Sequence, residues 1–337
     1  MTEIQIAAVG DLMVKRYIIS DAKQSDGTYS FTPLFAKVTP YLRQADLTIG
    51  NLETTFPGNG RECRKSLRSG GPTFKCPDEL APALKEAGFD VLVTANNHCM
   101  DYGASGLIRT LRVLDRSGID HTGTSRSVQE SKRTLIKNVS GITIGILSYT
   151  AGTNRIPVPI QQPWLVNRIE TNKILREIRD LKKKVDLVLL YMHFGKEYQY
   201  TPNKRQKQLA SLFLKNGANI VLGSHPHVLQ PISVQGKKKF VSYSLGNFVS
   251  TKLKNNPFTQ SGIILTLTIK KDNNGNTSIT DINYIPTCVD RRIIKGGKQI
   301  SEVIPIHDTL KNTDLITERR NRLNRMLKHT IDILKWP

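Results

Sequence analysis

The sequence predicts an α/β fold in which two β-sheets pack face to face as a sandwich, with helices on the outside. Apolar runs alternate with amphipathic helical patterns up to about residue 227, which is typical of strands joined by helical crossovers. Beyond that point, apolar residues recur at every second position, which indicates antiparallel strands. Polar side chains also follow the apolar runs directly, at the strand ends where α/β sheets bind ligands.

The first part of the chain alternates strands and helices. Short apolar runs predict strands at residues 4–9, 46–53, 89–98 and 119–123. Amphipathic patterns predict helices at residues 33–45 (despite Pro40), 78–88 and 105–118. The last two helices end on Gly88 and Gly118, because glycine readily adopts the left-handed conformation that terminates a helix. A hairpin is predicted at 134–149, with its turn at Ser140 and Gly141.

The second part continues this alternation and then becomes antiparallel. An irregular, proline-rich stretch covers residues 151–168. Helices and strands then alternate at 168–184, 185–195, 204–217 and 218–227. Period-two patterns predict antiparallel strands at 228–235, 238–248, 262–270 and 277–286. A last amphipathic helix at 314–334 has leucines on one face, and we expect that face to dock on the core.

The chain of 337 residues is strongly basic. It contains 49 Lys and Arg against 28 Asp and Glu, a formal net charge of +21. Such a surface attracts polyanions, so we expect an anionic small molecule or polymer as partner. The sequence has no helix-turn-helix, RNP or zinc-finger motif, and only 7% of its residues are aromatic. These observations argue against specific nucleic-acid binding.

The amino terminus has the pattern of a strand. It lacks the basic segment and the long apolar segment of a secretion signal. No stretch of the sequence approaches the roughly 18–20 apolar residues of a membrane span. We therefore expect a cytoplasmic protein without a transmembrane segment.

Residues that can bind a metal ion follow five of the apolar strands. They are Asp11, Glu53, Asn97 with His98 and Asp101, His193, and His225 with His227. Imidazole and carboxylate groups are the usual ligands of divalent transition metals. His225 and His227 are separated by one residue, so in an extended segment both rings would point to the same face. The pattern therefore predicts a divalent-metal site at the strand ends.

Six motifs extend this pattern between Val9 and Phe248: VGDLM, GNLET, TANNHCMDYG, MHFGKEY, GSHPHVLQP and YSLGNF. On these motifs the chain resembles the capsule-synthesis CapA family, also called the poly-γ-glutamate synthesis family. That family is similar to the calcineurin-like metallophosphoesterases. The resemblance implies the two-sheet αββα sandwich of the metallo-dependent phosphatases, with one or two divalent ions of manganese, iron or zinc. We accordingly expect a catalytic core at residues 1–250, with residues 251–337 completing the same domain.

The resemblance also implies roles for individual residues. The metal ligands would be Asp11, Glu53, Asn97, His193, His225 and His227. Met13 stands where the phosphoesterase pattern has a ligand histidine, and Asn51 stands where it has a bridging aspartate, so we expect Glu53 to substitute. His98 would be the general acid, oriented by Asp101. The residues expected to bind the substrate are Asn51, Arg64, Lys65, Arg68, Lys75 and Asn247.

The function expected from these features is metal-dependent hydrolysis of an anionic substrate, either a phosphoester or a compound related to poly-γ-glutamate. Two alternatives stay open. Some relatives of the family epimerise a residue of a ribosomal peptide, and the same centre could act on a peptide substrate in that way. The chain could also be a non-catalytic accessory protein of poly-γ-glutamate synthesis or export, because a fold does not fix an activity.

Overall fold

The computed structural model describes residues 1–62, 72–294 and 296–334 of the chain. Two β-sheets form its core, one with eight strands and one with six. The eight-stranded sheet contains β1 (Thr2–Leu12), β2 (Leu47–Leu52), β3 (Val91–Val93), β4 (Asp120–Thr122), β11 (Asn247–Val249), β12 (Ser261–Lys271), β13 (Thr277–Ile293) and β14 (Gln299–Pro305). The six-stranded sheet contains β5 (Leu135–Val139), β6 (Ile142–Thr150), β7 (Leu187–His193), β8 (Ile220–Ser224), β9 (Leu229–Gln235) and β10 (Lys239–Leu245).

Strand β1 lies inside the eight-stranded sheet, whose order is β14–β13–β12–β1–β2–β3–β4, and β11 pairs with the end of β1. Strands β1 to β4 are parallel, whereas β12 to β14 pair antiparallel. The six-stranded sheet has the order β5–β6–β7–β8–β10–β9, in which β6, β7, β8 and β10 are parallel. The carboxyl ends of the parallel strands therefore share one edge in each sheet.

Apolar side chains between the two sheets hold the sandwich together. Ile6 and Ala8 of β1 face the six-stranded sheet and belong to the same buried cluster as Leu189 of β7, whereas Val9 belongs to the cluster under the outer helices. This alternation follows from the two-residue period of a strand. The hydroxyl group of Tyr191 also donates to the Val9 carbonyl oxygen at 2.7 Å, which ties β7 to β1.

Helices cover the outer faces of both sheets. They are α1 (Tyr17–Ala22), α2 (Thr32–Phe35), α3 (Thr39–Gln44), α4 (Leu80–Ala87), α5 (Gly103–Arg116), α6 (Val128–Ser131), α7 (Thr171–Lys182), α8 (Lys204–Lys215), α9 (Ile306–Leu310) and α10 (Thr317–Leu334). Helices α1 to α5 pack on the eight-stranded sheet, and α7 and α8 pack on the six-stranded sheet through Ile178 and Phe213. Helix α10 docks through Leu323 and Leu334, so its leucine face contacts the core as expected.

Some of the predicted helices and strands differ from those observed. The helix expected at 33–45 is two short helices, because Pro40 has no backbone N–H for a continuous helix and instead occupies the first turn of α3. The strand expected at 89–98 ends at Val93, and the polar residues that follow form a loop. Helices α1, α6 and α9 and strand β14 were not predicted, because they are short or lie at the margin of the fold.

The carboxyl-terminal strands continue the eight-stranded sheet. Strand β12 pairs antiparallel with β1 from Thr2 to Val9, and β13 and β14 follow outward. The boundary expected at residue 250 stays a prediction. Among the helices of the described residues, none has both the length and the hydrophobicity needed to cross a bilayer.

Candidate functional site

The predicted polar residues converge where the carboxyl ends of the two sheets face each other. Asp11 comes from β1, and Glu53 directly follows β2. His98 lies in the loop after β3, His193 ends β7, and His227 lies between β8 and β9. All five side chains are at least nine-tenths buried. Strands from both sheets therefore build a single polar cluster inside an otherwise apolar sandwich.

Asp11 lies where three strands meet. It stands opposite Asn51 of β2 and Asn247 of β11 in the register of the sheet. Asn51 Nδ2 donates to Asp11 Oδ1 at 2.7 Å, and Asp11 Oδ2 lies 3.1 Å from His227 Nδ1. The same nitrogen of His227 lies 3.1 Å from Asn247 Oδ1. The two asparagines therefore hold Asp11 and His227 in place, and a contact of either asparagine with substrate stays a prediction.

Glu53 is the most unusual group of the cluster. Its side chain is fully buried, yet neither carboxylate oxygen accepts a hydrogen bond from the described residues. Oε1 lies 3.8 Å from His193 Nε2 and 3.9 Å from His227 Nε2. Burial, together with the nearby Asp11 carboxylate, raises the pKa of Glu53 well above its usual range. A buried carboxylate without donors is strongly unfavourable, and a bound cation would compensate it directly. The donor set therefore fits a divalent cation.

His193, which faces this carboxylate, also contacts His225 and Ser224. His193 Nε2 lies 3.2 Å from His225 Nδ1, and His193 Nδ1 lies 2.8 Å from Ser224 Oγ. Burial and the neighbouring imidazoles lower the pKa of His193 well below its usual range and that of His225 to about 4. Both rings are therefore neutral at physiological pH, which is the form that binds metal ions.

The backbone of the His-x-His step corrects one expectation. The step is not extended, because His225 has a φ of 95° and His227 a φ of 59°. Residues other than glycine rarely adopt such angles, and the strain is typically tolerated where it positions functional groups. The two rings, with centroids 6.0 Å apart, turn toward the cluster through this kinked loop instead of through strand geometry.

Two groups of donor atoms are close enough to hold cations. Asp11, Glu53 and His193 form one group, and Glu197, His225 and His227 form the other, with the ligand atoms of each group within 4.8 Å of one another. The contact between Glu53 and His227 connects the two groups. Glu197 was not among the predicted ligands, although it lies in the motif MHFGKEY. The sixth expected ligand is Asn97, whose Oδ1 lies 2.9 Å from His193 Nε2.

His98 and Asp101 form a buried pair beside the histidine cluster. His98 Nδ1 lies 2.8 Å from Asp101 Oδ2, and the Phe74 backbone N–H donates to the same oxygen at 2.7 Å. His98 Nε2 faces Asn154 Nδ2 at 3.3 Å. Asn154 Oδ1 accepts a hydrogen bond of 3.0 Å from Asn97, so Asn154 links this pair to the cluster. Because the Asp101 carboxylate accepts a hydrogen bond from Nδ1, that nitrogen carries a proton. Nε2 is then the ring nitrogen that can exchange a proton with a substrate.

Lys15 adds a positive charge that the sequence analysis missed. Its Nζ lies 4.1 Å from the centre of the Phe74 ring, and that ring stacks on the His98 imidazole with a centroid separation of 3.8 Å. Only 8% of Lys15 is exposed. Burial lowers the pKa of Lys15 to about 8, although the charges of Glu53 and Glu197 act in the opposite direction. Lys15 and the predicted general acid therefore contact the same aromatic ring.

The expected substrate-binding loop is only partly described. Arg64, Lys65 and Arg68 lie outside the described residues. Lys75 is exposed, and its backbone forms a bridge with Thr55. The substrate contacts expected for these four residues stay predictions.

A protein family and two known proteins are similar in sequence to this chain. The family profile described as "Bacterial capsule synthesis protein PGA_cap" matches residues 5–252. The chain is 31% identical over 280 residues to the PGA biosynthesis protein CapA of Bacillus subtilis (strain 168), covering 82% of this chain and 70% of that protein. It is 33% identical over 256 residues to the capsule biosynthesis protein CapA of Bacillus anthracis, covering 73% of this chain and 60% of that protein.

A solved structure shares the fold. It is described as "Putative 5'-Nucleotidase from Staphylococcus aureus in complex with alpha-ketoglutarate" and matches with a TM-score of 0.56 at 17% identity. The match covers 98% of this chain and 59% of that one. At this identity the likeness concerns the fold alone. The predicted sandwich of two sheets between helices is thereby confirmed.

Proposed function

The chain belongs to the bacterial capsule synthesis protein family PGA_cap, and from this premise we propose that it is a metal-dependent hydrolase of an anionic substrate. The observation that carries the proposal is Glu53, a fully buried carboxylate without hydrogen-bond donors among the described residues. It faces His193 and His227 at distances that a shared cation would bridge. Without a cation, Glu53 would be a buried acid beside a second buried carboxylate, Asp11, an arrangement that disfavours its charged form.

The ligands of the proposed centre are side chains that the fold already brings together. They are Asp11, Glu53, Asn97, His193, Glu197, His225 and His227. A divalent ion held there would polarise the substrate and acidify a water molecule. Asn51 and Ser224 contact the ligands Asp11 and His193 and orient them, as outer partners do in metal sites.

His98 is the proposed general acid. Its Nδ1 donates to Asp101, which stabilises the positive ring that exists before proton transfer. Its Nε2 then donates a proton to the departing oxygen or nitrogen of the substrate. Stacking on Phe74 keeps the ring plane fixed, so the transferable proton points in a constant direction. General acid catalysis of this kind contributes about 10²–10⁴-fold to the rate.

The anionic substrate is proposed from charge and from the relatives. The net charge of +21 favours association with anions. One relative is named a PGA biosynthesis protein, which makes γ-linked polyglutamate a candidate, and the shared fold makes phosphoesters the other. The chain spans 70% and 60% of the two CapA relatives, so their complete activities are not transferred to it.

The test begins with the metal content of protein purified without chelators, measured by mass spectrometry and repeated after reconstitution with Mn²⁺. Hydrolysis is then assayed with p-nitrophenyl phosphate, bis(p-nitrophenyl) phosphate and poly-γ-glutamate. His98→Gln should lower kcat by about 10²–10⁴-fold with unchanged metal content. His307→Gln, at an exposed histidine of α9, is the matched control and should keep full activity.

Two results would overturn the proposal. One is protein that binds no divalent ion even after reconstitution. The other is metal-loaded protein that hydrolyses none of the three substrates. Retention of poly-γ-glutamate without turnover would favour an accessory role, and exchange of a Cα hydrogen of a peptide with deuterated water would favour the epimerase alternative.

A further inference from the structure

Lys15 has a buried side chain whose ammonium group makes neither a hydrogen bond nor an ion pair with the described residues. The side chain is nine-tenths buried, and its Nζ contacts the face of Phe74 at 4.1 Å. Residues 63–71, which lie outside the described part of the chain, include neither Asp nor Glu. The sequence of this segment therefore supplies no carboxylate that could pair with Lys15. We propose that Lys15 binds an anionic oxygen of the substrate, from a carboxylate or a phosphoryl group, at the Phe74 ring on which His98 stacks.

The position of Lys15 follows from a chain of contacts. Phe74 lies 4.1 Å from Lys15 Nζ and 3.8 Å from the His98 ring, measured to ring centroids. Lys15 and His98 therefore contact the same ring, which places the ammonium group at the edge of the site that contains the proposed general acid. This inference rests on the proposed function, because it places Lys15 in the site where that reaction occurs.

The charges of the site point the same way. Glu53 and Glu197 are the carboxylates whose charges act on Lys15, and both belong to the groups of donors that would hold cations. When these two carboxylates hold a cation, that cation compensates their negative charge, which then no longer compensates the charge of Lys15. The centre then has excess positive charge near Phe74, and an anionic oxygen of the substrate compensates it.

The burial of Lys15 is specific to this residue. The next residue, Arg16, is exposed to solvent, so the chain does place a basic side chain outside at this point. The side chain of Lys15 enters the interior instead, in the turn after β1 where its carbonyl oxygen accepts a hydrogen bond from the Ile18 N–H at 3.1 Å. Methionine would keep most of the apolar stem over Phe74 and remove only the charge.

The experiment measures anion binding by isothermal titration calorimetry. Inorganic phosphate and glutarate are titrated separately into Mn²⁺-loaded protein and into chelator-treated protein. Lys15→Met should weaken binding of at least one anion by about 10- to 100-fold, the usual effect of losing a charge-assisted hydrogen bond. The anion that responds identifies the group that Lys15 recognises, carboxylate or phosphoryl.

Two further variants separate charge from folding. Lys207→Met removes an exposed lysine of α8 and should leave both affinities unchanged. Thermal unfolding monitors the fold of Lys15→Met, and Lys15→Gln replaces it if the methionine variant does not fold. Lys15→Arg keeps the positive charge and should retain binding within about tenfold of the wild type.

The outcomes distinguish this inference from the proposed function. If the protein holds no metal, the proposed function is refuted. If Lys15→Met nevertheless lowers the affinity of that protein for an anion, the role of Lys15 is supported. Equal affinities of wild type and Lys15→Met for both anions overturn the inference, even when the metal-loaded enzyme is active. Absence of millimolar binding of either anion by the wild type overturns it as well.

Discussion

Replacement of Glu53 by methionine should stabilise the metal-free protein and destabilise the metal-loaded protein. In the metal-free state, the substitution removes a fully buried carboxylate whose two oxygens accept no hydrogen bond from the described residues. In the loaded state, it removes a proposed ligand that faces His193 and His227. A change of sign between the two states is a result that an ordinary core residue would not produce.

The magnitude follows from the buried oxygens. An unsatisfied buried polar group costs about 1–3 kcal/mol, and a charged one costs more. With an unfolding entropy of about 2.1 cal/mol/K per residue, this energy raises the Tm of a chain of this length by about 1–4 °C. Free Mn²⁺ at about 1,000 times its Kd stabilises the wild type by about 4 kcal/mol, or about 6 °C. The variant should lose most of this metal-dependent increment.

The pH dependence has a defined sign. Burial and Asp11 raise the pKa of Glu53 well above 4.5 in the folded state. Below pH 4.5 the side chain is neutral in both the folded and the unfolded protein, so it carries no buried charge. As the pH rises from 4.5 through the folded pKa, the unfolded state loses the proton first, and the free energy of unfolding falls. The difference in Tm between Glu53→Met and the wild type, both without metal, should consequently grow in favour of the variant as the pH rises from 4.5.

The assay is thermal unfolding by differential scanning calorimetry, with and without Mn²⁺, across this pH range. Glu79→Met is the control, because Glu79 is exposed and its side chain makes no capping hydrogen bond at the start of α4. A Glu53→Met protein that is less stable without metal, and that keeps the full increment with Mn²⁺, would refute the reasoning.

Three further substitutions test other parts of the structure. Asp101→Asn should lower kcat of the metal-loaded enzyme at least about tenfold with little change in KM, because the general acid loses its carboxylate acceptor. Gly10→Ala should abolish cooperative unfolding in circular dichroism, because the added Cβ would lie 1.9 Å from the Gly246 carbonyl oxygen. Tyr191→Phe should lower the free energy of unfolding in urea by about 1–2 kcal/mol, because it removes the hydrogen bond to Val9.

Each of these predictions has an outcome that contradicts it. Unchanged kcat in Asp101→Asn would exclude the carboxylate from orienting the general acid. A Gly10→Ala protein that melts like the wild type would show that β1 can move away from Gly246. Unaltered stability of Tyr191→Phe would show that the bond between the sheets contributes no net energy.

The sequence predicted elements well wherever burial leaves a simple pattern. Strand β7 is a continuous apolar run because both of its faces are covered, and its predicted range of 185–195 contains the observed Leu187–His193. The hairpin turn at Ser140 and Gly141 was also predicted, and both residues have the positive φ that a two-residue hairpin turn favours. The sequence did not predict helix α2 as a separate helix, and it did not predict strand β14. Short elements of this kind depend on contacts with residues distant in sequence.

By itself, the sequence determined the order of the main strands and helices and the chemistry available at the strand ends. Asp11 and His193 were predictable as candidate ligands, because each lies at the end of an apolar run and parallel strands end at a common edge. The types of donor, carboxylate and imidazole, also indicated a divalent metal before any distance was known.

Only the tertiary structure decided how these groups face one another. It brought Glu53 to the histidines of the other sheet and added Asn154 from the irregular stretch and Glu197 from the motif MHFGKEY to the cluster. It also placed Lys15 over Phe74. These contacts join residues distant in sequence, and they are set by the packing of one sheet on the other. A local pattern of residues determines the periodicity of a strand or helix, but it does not contain the distance between two strands of different sheets.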